Sequence, residues 1–299
     1  MSVQLHAFES NRPRILKYPI LASRTLGLLL REGPCVLVVQ NPSIALATLA
    51  LMCRPLFRYR LIVDAHNAAL QVEAGPRRYL APLYRLVQRR ADRTLVSNTT
   101  LAGFVEANGG RAIVLPDPLP DVAGVRAGSR PLGRQVTFIC TFALDEPWLE
   151  AMSAVDDIPE DVFMYVTGRV PGWLARETIP KNPRLRLTGF LPDRDYLNLL
   201  ARSDVVLDLT RRENCLVCGA YEAVALGVPL VLSDTAALRA YFRQGVVYAV
   251  NSKAGIATAL REALARHAEL RAEIAALRSD LVEDWERQFQ LLTAYIKST

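Results

Sequence analysis

The chain has 299 residues, 51% of them hydrophobic and 22% charged, enough to fill the cores of two domains of about 150 residues each. Such a composition excludes a disordered chain, a collagen-like repeat and a disulfide scaffold. Residues 1–120 carry 15 basic and 7 acidic side chains and the remainder 21 and 23, so the basic first part is expected to meet something anionic: nucleic acid, an acidic membrane surface or a phosphorylated acceptor.

The N-terminus, MSVQLHAFES, has no basic stretch followed by an apolar one and does not read as a secretory signal. The longest apolar run, residues 44–53, is far short of the roughly 18 to 20 residues that cross a bilayer. With five cysteines and no framework spacing, a reduced, cytoplasmic protein is expected. Cys215 and Cys218 form a lone CxxC with no second ligand pair, so no metal site is expected.

Short apolar runs alternate with longer amphipathic ones, the pattern of parallel strands joined by crossover helices, and the fold class is α/β throughout. Strands are predicted at 35–40, 60–65, 94–97 and 112–115, with helices over 42–56, 76–91 and 99–107. The helix at 76–91 carries Arg77, Arg78, Arg85, Arg89 and Arg90 beside Tyr79, Leu80, Leu83, Tyr84, Leu86 and Val87, a pattern that suits the headgroup region of an anionic membrane or a solvated face over a buried stripe. It carries no recognisable nucleic-acid module.

Residues 116–134 are rich in Pro, Gly and charge without sustained periodicity and mark a domain boundary. The domains are placed at 1–125 and 135–299. Strands of the second are predicted at 136–140, 163–167, 185–188, 205–209 and 229–232, with helices near 148–154, 193–201 and 215–225, and a helical C-terminus from about 254.

No GxGxxG follows a strand and no GxxxxGK[ST] occurs, which argues against a dinucleotide oxidoreductase or a P-loop NTPase. The informative segment is 208–234, DLTRRENCLVCGAYEAVALGVPLVLSD. A strand, a polar loop and a helix opening near Cys215 would turn free N–H groups, including those of Cys215 and Leu216, toward an anion. Arg211 and Arg212 would add charge suited to a diphosphate, and Glu222 could accept from a ribose diol.

This segment resembles the donor-site signature of family-4-like GT-B glycosyltransferases, in which an E-x7-E pattern precedes a small-residue helix and a G-x-P-V-V-x-S-D strand. Residues 223–234 match it closely, and the second glutamate falls on Glu222. The first falls on Asn214, with Glu213 adjacent. The resemblance implies that Glu222 holds the donor ribose and that Glu213 or Asn214 contacts the donor sugar.

It extends over roughly residues 30–297. Thr167-Gly168-Arg169, Leu187 to Leu191 and Ala201 to Asp204 look like the strand-end glycine, the base-recognition loop and a buried aspartate strand of these enzymes. Gly168 and Arg169 would then sit near the donor, and Gly189, Phe190 and Leu191 would line the nucleobase. Asp64-Ala65-His66-Asn67 looks like the histidine motif of the first domain, where His66 would hydrogen-bond the donor sugar or the attacking hydroxyl. With Thr141 to Glu146 and Gln40 to Ser43, it also resembles the dolichol-linked chitobiose mannosyltransferases.

The resemblance implies two Rossmann-like domains facing each other across a cleft, with a GDP- or UDP-sugar as co-substrate and no required metal. It implies a lipid-linked or glycan acceptor; the basic first part favours peripheral contact with an anionic membrane, and the lack of a recognisable module argues against a nucleic-acid partner. Two departures stand out. Residues 140–148 lack the Arg and Lys that many members place there, and the glycine-rich loop after the first strand has no match, so the first domain is expected to be shortened. These departures suit the alternative of a catalytically degenerate binding or scaffold subunit. A nucleotide-sugar epimerase on the same architecture would act without an acceptor.

Overall fold

In the computed structural model the described residues are 4–41, 43–65, 67–70, 78–126, 128 and 133–298. The chain divides into two compact units, Met1–Pro116 with Gln288–Thr299, and Asp117–Arg287. The last residues of the chain thus pack with the first unit, whereas the sequence places all of 135–299 in the second domain. Leu292, Tyr295 and Ile296 lie against Ile62 and Leu95, an apolar match between segments too distant in sequence to be read from local periodicity.

The first unit holds a parallel sheet in the order β1-β2-β3-β4, made of β1 (Val36–Asn41), β2 (Arg60–Ala65), β3 (Arg93–Val96) and β4 (Ala112–Val114). In β2, Leu61, Ile62 and Val63 are all fully buried, as expected of a parallel strand covered on both faces. Around the sheet run α1 (Arg14–Glu32), α2 (Ile44–Phe57), α3 (Asn67–Leu70), α4 (Ala81–Arg90) and α5 (Thr99–Ala107). Asn98 caps α5 by accepting from the Leu101 N–H at 3.0 Å.

Two predicted elements change here. A helix, α1, precedes the first strand where none is predicted. The helix expected at 76–91 is α4, beginning at Ala81 with a proline in its first turn; Arg77 lies outside the described residues. Tyr84 and Val87 of α4 are buried, so much of its apolar stripe covers the core of its own unit.

The second unit holds a six-stranded parallel sheet in the order β10-β9-β8-β5-β6-β7. Its elements are β5 (Arg134–Ile139), α6 (Trp148–Ser153), β6 (Val162–Thr167), β7 (Leu185–Gly189), α7 (Asp193–Ala201), β8 (Val205–Asp208), α8 (Cys218–Leu226), β9 (Leu230–Ser233), α9 (Ala236–Tyr241), β10 (Val246–Ala249), α10 (Lys253–Ala265) and α11 (His267–Lys297). One face packs Val136, Phe138 and Met164 against Met152, Ile256 and Leu260. The other packs Val206 and Leu230 against Leu200, Val224 and Leu277.

The order reverses between β5 and β8, which pair directly, Ile139 opposite Asp208. In such sheets the crevice outside the carboxyl ends of the strands at that switch point is where ligands bind. A buried network locks the opposite end of β5: Asp204 accepts from the Gln135 N–H at 2.7 Å, and the Gln135 amide donates to Leu199 O and Ser203 Oγ.

Candidate functional site

The residues assigned from sequence to the donor lie at or after the ends of β6, β7 and β8: Gly168 and Arg169, Gly189 to Leu191, and Arg211 to Leu216, with Glu222 on the helix that follows. His66, the one candidate assigned to the first domain, lies outside the described residues.

Gly168, following β6, adopts φ +84°, and a Cβ there would lie 2.0 Å from the Cys140 carbonyl oxygen. Only glycine allows β6 to end so close to the loop leaving β5. Gly168 and Gly189 form an isolated bridge, so the ends of β6 and β7 are joined at the two glycines singled out from sequence. Arg169 beside them is exposed. Phe190, next to Gly189, is 72% exposed, and Leu191 is half-buried.

After β5 the chain turns through Phe142 at φ +59°. The Glu146 carboxylate fills this turn, accepting from the Thr141 N–H at 2.9 Å, the Thr141 hydroxyl at 2.6 Å and the Ala143 N–H at 3.2 Å. Successive backbone N–H groups around a left-handed residue form an anion-binding concavity, and here a side chain of the same loop occupies it. Burial pushes the neighbouring Cys140 thiol well up, with the Glu146 charge adding to the effect.

The loop leaving β8 is clamped at its root. The Thr210 N–H donates to Ser233 Oγ at 2.9 Å, Ser233 donates to Asn251 Oδ1 at 2.8 Å, and the Asn251 amide donates to the Thr210 carbonyl at 2.9 Å. Both backbone groups of Thr210 are thereby fixed, which positions Arg211 and Arg212 immediately after it. Arg211 pairs with Glu150 at 2.5 Å and Arg212 with Asp145 at 2.8 Å, and the Arg211 N–H donates to the Asp145 carbonyl at 2.6 Å. The two arginines assigned to a diphosphate are held by carboxylates, Asp145 from the segment where the resemblance expects cations and Glu150 just after it.

The helix after this loop begins later than predicted. It opens at Cys218, with Val217 in an extended conformation before it; Glu213 is exposed, and Asn214, Cys215 and Leu216 are partly buried in the loop. The Asp208 carboxyl stands against this first turn, beside the Gly219 and Ala220 N–H groups. The free amides expected at Cys215 and Leu216 are therefore not those of a helix N-terminus, and the true first turn meets a carboxyl of the same chain. Burial raises the Asp208 carboxyl well above its ordinary 3.8, with Glu146 and Glu222 adding to the rise and the two amides opposing it. Gly219 is required for this contact, since a Cβ would lie 2.2 Å from Ile139 Cδ1 and 2.6 Å from Asp208 Oδ2.

Glu222 lies on the next turn of α8, half-buried, and accepts from the Tyr196 hydroxyl of α7 at 2.5 Å. Burial raises its carboxyl; the Tyr196 hydrogen bond opposes the rise and Asp193 adds to it. One oxygen is thus held while a carboxylate retains further acceptor capacity. Sequence reasoning misses Tyr196, Asp145, Glu150 and the place of Asp208 against α8. Asp208 alone had a signal, a carboxylate at a strand end ahead of Gly219. Among the described residues no group of three acidic, His or Cys side chains could hold a metal ion.

Residues 140–286 match the family model described as glycosyl transferase-like. A comparison with curated proteins returns no match. Among solved structures, sucrose-phosphate synthase from Thermosynechococcus elongatus superposes with a TM-score of 0.75 at 15% identity, over 96% of this chain and 80% of that one. HepE of Anabaena in complex with UDP-glucose gives 0.70 at 12% identity, over 92% and 82%. The E. coli trehalose-6-phosphate structure bound with UDP-2-fluoro glucose gives 0.69 at 13%, over 93% and 77%. The fold of the chain is GT-B, with two parallel-sheet α/β units.

Proposed function

We propose that this glycosyltransferase, a chain of GT-B fold, moves a sugar from a nucleoside diphosphate-sugar bound by its second unit to a hydroxyl of a lipid-linked or glycan acceptor. One observation carries the reading: the glycine pair Gly168 and Gly189 joins the ends of β6 and β7 on one side of the switch point, while Arg211 and Arg212 follow β8 on its other side and half-buried Glu222 lies on the helix after them. The match of residues 140–286 to the glycosyl transferase-like model supports it, as do structural neighbours bound to UDP-glucose and UDP-2-fluoro glucose.

In this reading Phe190 offers a ring face to the base, and the free acceptor capacity of Glu222 takes the ribose diol. Arg211, Arg212 and Arg169 neutralise the diphosphate as it leaves, and Glu213 or Asn214 contacts the sugar. The acceptor oxygen bonds to the anomeric carbon while the bond from that carbon to the diphosphate oxygen breaks, and the hydroxyl proton passes to the departing diphosphate. His66 hydrogen-bonds the sugar or the attacking hydroxyl. The basic first unit and the likeness of Gln40 to Ser43 and Thr141 to Glu146 to the chitobiose mannosyltransferases favour a lipid-linked acceptor.

Calorimetric titration with UDP and with GDP tests the reading. Saturable binding to one diphosphate, lost in Glu222→Ala and in the Arg211→Ala, Arg212→Ala pair, is the expected result and identifies the base. Absence of binding to both by folded protein would overturn it in favour of a scaffold subunit.

A further inference from the structure

Tyr196 links two parts of the candidate donor site that lie far apart in sequence. Only Phe190, Leu191 and Pro192 separate the end of β7 from α7, so the loop expected to line the base runs straight into this helix. Tyr196 closes its first turn, its N–H donating to the Pro192 carbonyl at 2.9 Å. The ring packs on the apolar layer that holds Leu200, Ala220 and Val224, and the hydroxyl reaches across to α8 and donates to Glu222 Oε2 at 2.5 Å. Burial, with the Glu222 charge adding to it, keeps the phenol proton in place, so the hydroxyl stays a donor. The other groups that act on Glu222 are Asp193 at the start of α7, Asp208 at the end of β8 and Cys218 one turn earlier on α8. None of these is a cation, and among the described residues Tyr196 is the one hydrogen-bond donor to Glu222.

We propose that Tyr196 is a positioning residue that makes the site select a ribonucleoside diphosphate over its 2′-deoxy counterpart, by holding one Glu222 oxygen so that the other serves the ribose 2′- and 3′-hydroxyls. The inference rests on the donor reading above. The last torsion of a glutamate side chain is broad and roughly two-fold, so an unheld carboxylate turns freely and can follow whichever hydroxyl is offered. With Oε2 taken by a short, charge-assisted bond from the Tyr196 hydroxyl, the carboxylate plane is fixed by the helix that continues the base loop. Oε1 keeps its lone pairs for two donors. A ribose presents two hydroxyls there and a 2′-deoxyribose one. A fixed, half-buried acceptor that meets the deoxy form loses a hydrogen bond to a charged group and cannot turn to recover it.

Titration calorimetry of the full chain with UDP and GDP, each against its 2′-deoxy form, tests the proposal. For the base that the wild type binds, a preference for the ribose form of roughly ten-fold or more is expected. Tyr196→Phe removes the hydroxyl and keeps the ring in the core, and should reduce that preference to about three-fold or less. The pH profile separates positioning from packing. Without the Tyr196 bond the rise that burial imposes on the Glu222 carboxyl is unopposed, so as pH falls diphosphate binding by Tyr196→Phe should weaken at a higher pH than in the wild type. Asp193 adds to the same rise, and Asp193→Asn, at an exposed position, should shift the profile the other way and keeps the test valid if Tyr196→Phe folds poorly. An unchanged ribose preference in folded Tyr196→Phe would overturn the proposal, as would a pH profile that neither variant moves. A wild type that binds the diphosphate without preferring ribose would overturn it and leave the donor reading in place. A wild type that binds neither diphosphate would remove the donor reading and this inference with it.

Discussion

Arg211 and Arg212 carry the positive charge of the candidate donor site, yet each faces a carboxylate of the loop and helix that follow β5. Both pairs are partly exposed, where an ion pair contributes about 0–1 kcal/mol, whereas a diphosphate can take charge-assisted, bidentate hydrogen bonds from the same guanidinium groups. Glu150→Gln and Asp145→Asn should therefore tighten diphosphate binding, by roughly two- to five-fold each for a freed pair of this strength, which titration calorimetry resolves. Asp208 makes the opposite kind of prediction. Its folded-state carboxyl is raised, so the native state holds the proton more tightly than the unfolded chain does. Stability then falls as pH rises from the ordinary 3.8 through the raised value. Asp208→Asn should flatten that decline in a series of thermal melts across pH; an equal slope in both proteins would show that Asp208 is not its source.

At the scale of elements, the junction of β5, β8 and α8 depends on a side chain that is absent. Gly219→Ala would drive a methyl into Ile139 and the Asp208 carboxylate, and overpacking of this kind costs about 1–3 kcal/mol. Chemical denaturation should show that loss together with weakened diphosphate binding, because α8 also carries Glu222. The same junction marks the boundary between what sequence can and cannot reveal. The strands are legible because runs such as Leu61 to Val63 and Val205 to Leu207 are apolar on both faces and flanked by turn residues. Gly168, Gly189 and Glu222 are legible through their place in a recognisable pattern. The start of α8 is not: Cys215 and Leu216 continue the apolar character of the helix, and the Asp208 carboxyl that meets its first turn comes from the preceding strand. Tyr196 against Glu222 and Arg211 against Glu150 join residues 26 and 61 positions apart, which no local pattern encodes. Helix α1, which contains Pro19 in its interior, is not predicted.

At the scale of the whole molecule, the first unit takes residues from both sides of the second. Its last piece, the end of α11, places Leu292 at 7% exposure beside Ile62 and Leu95. Arg60 donates to the Tyr295 carbonyl at 3.1 Å, and Arg60 and Arg93 both lie over the Tyr295 ring. A chain ending at Arg287 should lose roughly 2–5 kcal/mol from the first unit, the scale of deleting a large buried side chain. Hydrogen exchange would register this as faster exchange of β2 and β3 amides with β5 and β8 unchanged. The same threading sets an order for biosynthesis. Domains generally fold from the N-terminus as they emerge from the ribosome, but here residues 117–287 are complete before the segment that covers Ile62 and Leu95 has been made. The segment that covers Ile62 and Leu95 is therefore made only after the whole of residues 117–287, and until then that apolar face of β2 and β3 lacks its cover.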